Sequence, residues 1–320
     1  MNVIIGALAP VLLIMFLGYL AGRIKLVDNR NVALLNIFVM DFALPAALFV
    51  ATVKNSWAGL LQEWPLLMVL VLSMWILYAL FFLVSVKVFG KSAQDAAVLS
   101  LTVALPNYAA LGLPILDSVQ SGAATVALNV AVAIAAGSVF MTPVCLLTLE
   151  GAKAAGDHAA PARSPMALLL VLVWRSLKKP IVLGPVIGCL LSLLGITMPD
   201  LVLSALKPLG AAAPAAALFL TGVILSARKL QINRAVILGT LSKNLLQGLL
   251  AWALVSAFGF SGEPALVAVL MLSLAAGFFG VVFGNRYGVS SPDAESTLLL
   301  SSVFGVVTIP LFIHLVAKVF

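Results

Sequence analysis

Two apolar runs in this chain carry helix-breaking residues at the same depth, one in each half. The first reads Ala104-Leu105-Pro106-Asn107-Tyr108 and continues to Gly112 and Pro114; the second spans 273–284 and includes Ala276, Gly277, Gly280 and Gly284. Proline removes a backbone donor and clashes with the preceding turn, and glycine costs about 1 kcal/mol against alanine within a helix. In a bilayer such breaks persist only where the freed backbone groups face protein or a water-filled cavity. Paired interruptions in corresponding spans of two halves point to the central site of a carrier.

The setting is a membrane. The chain has 320 residues, 63% hydrophobic and 9% charged, where soluble domains carry roughly 25% charged residues. Ten runs are long enough to cross a bilayer: about 2–22, 32–53, 65–89, 93–116, 122–148, 180–196, 203–226, 232–258, 264–285 and 296–317. The sixth is short, and Pro208 and Pro214 blur the start of the seventh. Residues 149–179 form the long hydrophilic gap, with the glycines, prolines and mixed charges of a cytoplasmic linker.

If the first run begins outside, fourteen of the eighteen lysines and arginines fall in cytoplasmic loops, Lys91, Arg163, Arg234 and Arg286 among them. Only Lys54, Lys207 and Lys318 fall outside. This positive-inside bias predicts an inner-membrane, multi-pass protein with both termini extracytoplasmic. It also accounts for the net charge of +7 without a nucleic-acid partner. The first run lacks the leading positive charge of a cleaved signal peptide. Cys145 and Cys189 both lie in spans, where packing is the expected role.

Short echoes relate the halves. Ala43-Leu44-Pro45-Ala46 through Phe49 matches Ala213-Pro214-Ala215 through Phe219, Pro10-Val11 matches Pro185-Val186, and Ser138-Val139-Phe140 matches Ser302-Val303-Phe304. Five spans per repeat is an odd number, so the second repeat must enter the membrane from the opposite side. The expected fold is an all-α membrane protein of two inverted five-helix repeats, 1–148 and 180–320, with broken, crossing helices 4 and 9.

Asn107, Gly112 and Pro114 form Asn-x4-Gly-x-Pro, which resembles the crossover signature of the auxin efflux carrier family. Leu44-Pro45-Ala46, the stretch from Val173-Trp174-Arg175 to Lys179-Pro180, and Tyr287-Gly288-Val289 resemble that family as well, so the similarity covers essentially the whole chain. The resemblance implies the fold of sodium–proton antiporters and bile-acid carriers. It also implies a substrate among malonate and related organic acids, and a homodimer. Ala275 and Gly280 stand where plant members of the family carry prolines, which predicts a gentler second break.

The intramembrane polar residues are few. Asn107 sits at the first break, where its amide can meet a substrate carboxylate or a cation. Tyr108, Gly112, Ala276 and Gly277 line the breaks as further substrate-binding candidates, with Pro106, Pro114 and Gly280 shaping the helix ends. Tyr108 can equally be packing. Lys243 suits a carboxylate, although a lysine so near the start of its span can also snorkel to the interface. Asp41, one turn before Pro45, is the candidate for coupling to H+ or Na+, since a carboxylate can bind and release a proton during transport; a structural charge is its alternative.

Trp57, Trp64 and Trp174 read as belt anchors at span ends, and His158 as a solvated loop residue. No cofactor or metal motif is present, nor a phosphate loop for an ATP-driven pump. The rival readings are a passive channel and, less well supported, an intramembrane enzyme using Asp41 and His314. The sequence therefore predicts a secondary carrier of a small organic anion in the lipid bilayer.

Overall fold

The computed structural model describes residues 2–29, 31–53, 63–120, 123–156, 166, 170, 171, 174, 178, 180–227 and 230–319. Lys54, Trp57, His158, Arg163, Val173, Arg175, Lys179 and most of the 149–179 linker lie outside the described residues. The described chain is helical, and its β-type pairing is a lone antiparallel bridge between Pro106 and Ala276. Among the described residues five stretches are long and apolar enough to cross a membrane: Ala33–Val50, Trp64–Lys87, Thr125–Leu149, Asp200–Ser226 and Pro292–Val316.

The chain forms two compact units, each drawn from both halves of the sequence. The first comprises Met1–Leu67, Tyr108–Ile134 and Lys178–Arg228; the second comprises Met68–Asn107, Ala135–Leu177 and Lys229–Phe320. Burial follows the logic of a bilayer. Leucines, isoleucines and phenylalanines remain exposed along many helices, because no gain comes from hiding them from lipid.

In the first unit, α1 (Asn2–Arg23) runs into α2 (Ala33–Ile37), a π-helical stretch Phe38–Ala43 and α3 (Leu44–Thr52). α6 (Leu113–Asp117) and α7 (Ala123–Ala135) follow later in the chain, then α9 (Pro180–Leu193), α10 (Asp200–Ala211) and α11 (Ala213–Ser226). The main contacts pair α1 with α11, and α3 with α9 and α10. Small residues permit them. A Cβ at Gly18 would lie 2.1 Å from the Phe219 carbonyl oxygen, and one at Gly222 would lie 2.0 Å from that of Met15. Backbones packed this closely gain dispersion energy that lipid cannot match. The prolines of the seventh run divide it rather than abolish it: Pro208 lies inside α10 and Pro214 opens α11.

The second unit holds α4 (Trp64–Lys87), α5 (Ala93–Ala104), α8 (Thr142–Gly156), α12 (Arg234–Leu241), α13 (Gln247–Ala257), α14 (Glu263–Ser273), α15 (Phe279–Arg286) and α16 (Pro292–Val319). Ser92 caps α5 by accepting from the Asp95 N–H, and Asn233 caps α12 by accepting from the Val236 N–H. α12 and α13 are joined by a π-helical turn, Ser242–Leu246. α5 packs on α15 and α8, α12 on α16, and α14 on α13 and α16. With twelve and eleven residues, α5 and α14 are each roughly 18 Å long or less, about half a bilayer. Both end at the breaks.

Candidate functional site

Leu105 and Leu274 leave the helical region at the ends of α5 and α14, with ψ of 112° and 153°. The two extended segments then pair with each other. Asn107 N–H donates to the Ala275 carbonyl at 2.9 Å, and Gly277 N–H donates to the Leu105 carbonyl at 2.8 Å. Pro106 stands opposite Ala276. This position needs no donor from proline, because the ladder bonds fall on its neighbours. Each break thus satisfies polar groups that the other exposes.

Glycine makes the approach possible. A Cβ at Gly277 would lie 2.9 Å from the Leu105 carbonyl oxygen, and one at Gly280 would lie 2.2 Å from Thr102 Oγ1 and 2.7 Å from the Val98 carbonyl oxygen. The absence of side chains there lets α15 pack directly on α5.

A buried polar network lies beside the bridge. Ala276 N–H donates to Ser301 Oγ at 2.9 Å, and Ser301 donates onward to Asn244 Oδ1 at 2.5 Å. Asn244 Nδ2 donates to the Ser301 carbonyl at 3.0 Å and to Thr308 Oγ1 at 3.1 Å. Lys243 Nζ donates to the Leu272 carbonyl at 3.1 Å and to Gln247 Oε1. Gln247 Nε2 in turn donates to the Ala104 carbonyl at 2.6 Å. Lys243, Asn244 and Gln247 are all fully buried. Lysine snorkelling is therefore not what the structure shows, since the side chain turns inward. Among the described residues no carboxylate pairs with it.

The geometry gathers six of the sequence candidates in the second unit: Pro106, Asn107, Lys243, Ala276, Gly277 and Gly280. Asn107 is buried, at 4% exposure. The other four belong to the first unit. Tyr108 opens the π-helical stretch Tyr108–Gly112, which packs against α11, and is buried. Gly112 precedes α6 and Pro114 lies in its first turn. Asp41 lies in the π-helical stretch before Pro45 with its side chain exposed. His314 is also exposed, on α16 of the second unit.

Sequence reasoning missed Ser301 and Thr308. Isolated hydroxyl residues in an apolar helix usually bond back to their own turn, so they carry little signal. It also missed a cluster at the entrance of α5. Lys91 Nζ contacts Asp95 at 2.8 Å and Asp293 at 2.6 Å, Asn233 Nδ2 donates to Asp293 at 2.6 Å, and Ser291 donates to Asp95. Burial opposes the charge on Lys91, but the hydrogen bonds and charges of Asp293 and Asp95 outweigh it and raise its pKa.

Comparison with known proteins places the chain among membrane transporters. A family described as "Membrane transport protein" matches residues 3–313. An uncharacterized transporter, YfdV, of Escherichia coli K12 is 26% identical over 97% of this chain and 96% of its own length. A putative malonate transporter of Rhizobium meliloti is 27% identical over 98% of this chain and 96% of its own.

Proposed function

Because the chain belongs to the membrane transport protein family, that of the auxin efflux carriers, and because this is a family of transporters and not of enzymes, we propose that it is a secondary carrier of a small organic anion. It works by alternating access, with the substrate held at the paired breaks. The observation that carries this reading is the pairing of residues 105–107 with 275–277 beside a buried Lys243 that, among the described residues, no carboxylate pairs with. Lysine supplies positive charge to a substrate carboxylate, Asn107 supplies an amide, and α15 presents its N-terminal amides just beyond Gly277. Ala276 and Gly277 keep the paired breaks clear of bulky side chains.

The paired breaks and the sequence echoes support ten spans in two inverted repeats, 1–148 and 180–320, joined by the 149–179 linker. The lysine and arginine distribution supports an inner-membrane location with both termini outside. A dicarboxylate of malonate size fits one ammonium, one amide and a helix N-terminus, and one full-length relative bears the name of a putative malonate transporter. Asp41 is the proposed proton carrier that links transport to a gradient.

Uptake into proteoliposomes, screened over mono- and dicarboxylates under imposed proton and sodium gradients, tests the proposal. Saturable uptake that is lost in Asn107→Ala is the expected result. Rapid flux of many anions without saturation would favour a channel instead.

A further inference from the structure

In carriers with discontinuous helices, half-helix C-terminal ends and unwound carbonyls are the groups that coordinate coupling cations. Here one such carbonyl at each break is already engaged by a side chain. α14 ends at Ser273, and its Leu272 carbonyl accepts from Lys243 Nζ at 3.1 Å. α5 ends at Ala104, and that carbonyl takes the Gln247 amide at 2.6 Å. Gln247 Oε1 also accepts from Lys243. One turn of a single helix therefore serves the negative ends of both broken helices.

We infer that Lys243 is a built-in cation that takes the place of a coupling metal ion at the breaks, so that Na+ has no site there. The charge balance supports this. Each helix C-terminus carries roughly half a negative charge, so two of them match one ammonium, and among the described residues no carboxylate competes for it. Full burial of Lys243 excludes the water that would otherwise screen a second cation placed among the same oxygens. A sodium ion a few ångströms from the ammonium meets strong repulsion in so dry a setting. Removing the amine has the opposite effect: the Leu272 carbonyl and Gln247 Oε1 are released as two hard oxygen ligands around a space the size of the lost side chain.

This inference rests on the proposed carrier centre, but its test needs no substrate. Purified wild type, Lys243→Arg and Lys243→Ala are unfolded thermally in choline chloride and in NaCl at equal ionic strength. Wild type and Lys243→Arg are expected to respond alike to both salts. Lys243→Ala is expected to melt lower in choline and to recover with rising Na+, the gain growing with the logarithm of concentration above half-saturation. Saturable Na+ stabilisation of wild type overturns the inference, and so does a Lys243→Ala variant no more responsive to Na+ than wild type. If Lys243→Ala does not fold, equilibrium 22Na+ binding to wild type decides: saturable binding refutes, and its absence supports. Failure of every anion in the uptake screen would sink the carrier proposal while leaving this result intact.

Discussion

Gly280→Ala tests the contact that brings the two broken helices together. Its new Cβ would lie 2.2 Å from Thr102 Oγ1, 2.7 Å from the Val98 carbonyl oxygen and 2.8 Å from the Thr102 nitrogen. Ordinary contact begins at 3.4 Å. The hydroxyl can rotate away, but the backbone atoms of α5 cannot, so α15 must retreat by about 0.7 Å, the gap between 2.7 and 3.4 Å. Overpacking of this kind costs typically 1–3 kcal/mol; with backbone atoms in the way the upper end applies, and subtracting the propensity gain of about 1 kcal/mol from glycine to alanine leaves a net loss of about 2 kcal/mol.

Gly151, whose Cβ would meet nothing within 4 Å, is the internal control; Gly151→Ala should be neutral or gain up to about 1 kcal/mol. Thermal unfolding in detergent reads the difference at roughly 2–4 °C per kcal/mol. Thr102→Ala relieves only the 2.2 Å contact, so the double variant should recover about 1 kcal/mol and no more. The packing argument fails if Gly280→Ala melts with Gly151→Ala, or if Thr102→Ala restores full stability.

Asn107→Ala should leave folding intact and weaken substrate binding about ten- to a hundredfold, the loss of one hydrogen bond to a charged group; unchanged affinity in the purified variant would remove Asn107 from the site. Asp41→Asn is expected to flatten the pH dependence of transport while retaining exchange, and an unaltered pH profile would make Asp41 structural. Lys91→Met leaves two partly buried carboxylates facing each other and should cost about 1–3 kcal/mol, read as a lowered Tm. Because the Lys91 pKa is raised, its contribution is fully present below the ordinary lysine value of 10.5 and lost as pH climbs through the raised one; alkaline destabilisation should therefore be smaller in Lys91→Met, and equal slopes would count against the ion pairs. A cysteine at Ser121 should label from outside in intact cells and one at Ala160 only after permeabilisation; both positions lie outside the described residues, and outside labelling of Ala160 would overturn the proposed orientation.

The sequence by itself determined the environment and the place of the breaks. Apolar runs of bilayer length leave a backbone no choice but to satisfy itself as helix, and Pro106, Gly277 and Gly280 can interrupt such a run only where something else meets the freed groups. That much is local chemistry. What meets them is not. That Leu105 and Asn107 bond Gly277 and Ala275 across some 170 residues depends on two chain segments arriving together, and no single-residue preference encodes the pairing. Lys243 shows the same division. Its rarity in an apolar span made it conspicuous, yet snorkelling and inward burial read alike until the positions of Gln247 and Leu272 decided between them. Ser301 and Lys91 were silent for the same reason: a hydroxyl or a loop lysine acquires meaning only from partners such as Asn244 or Asp293, brought from distant positions by packing.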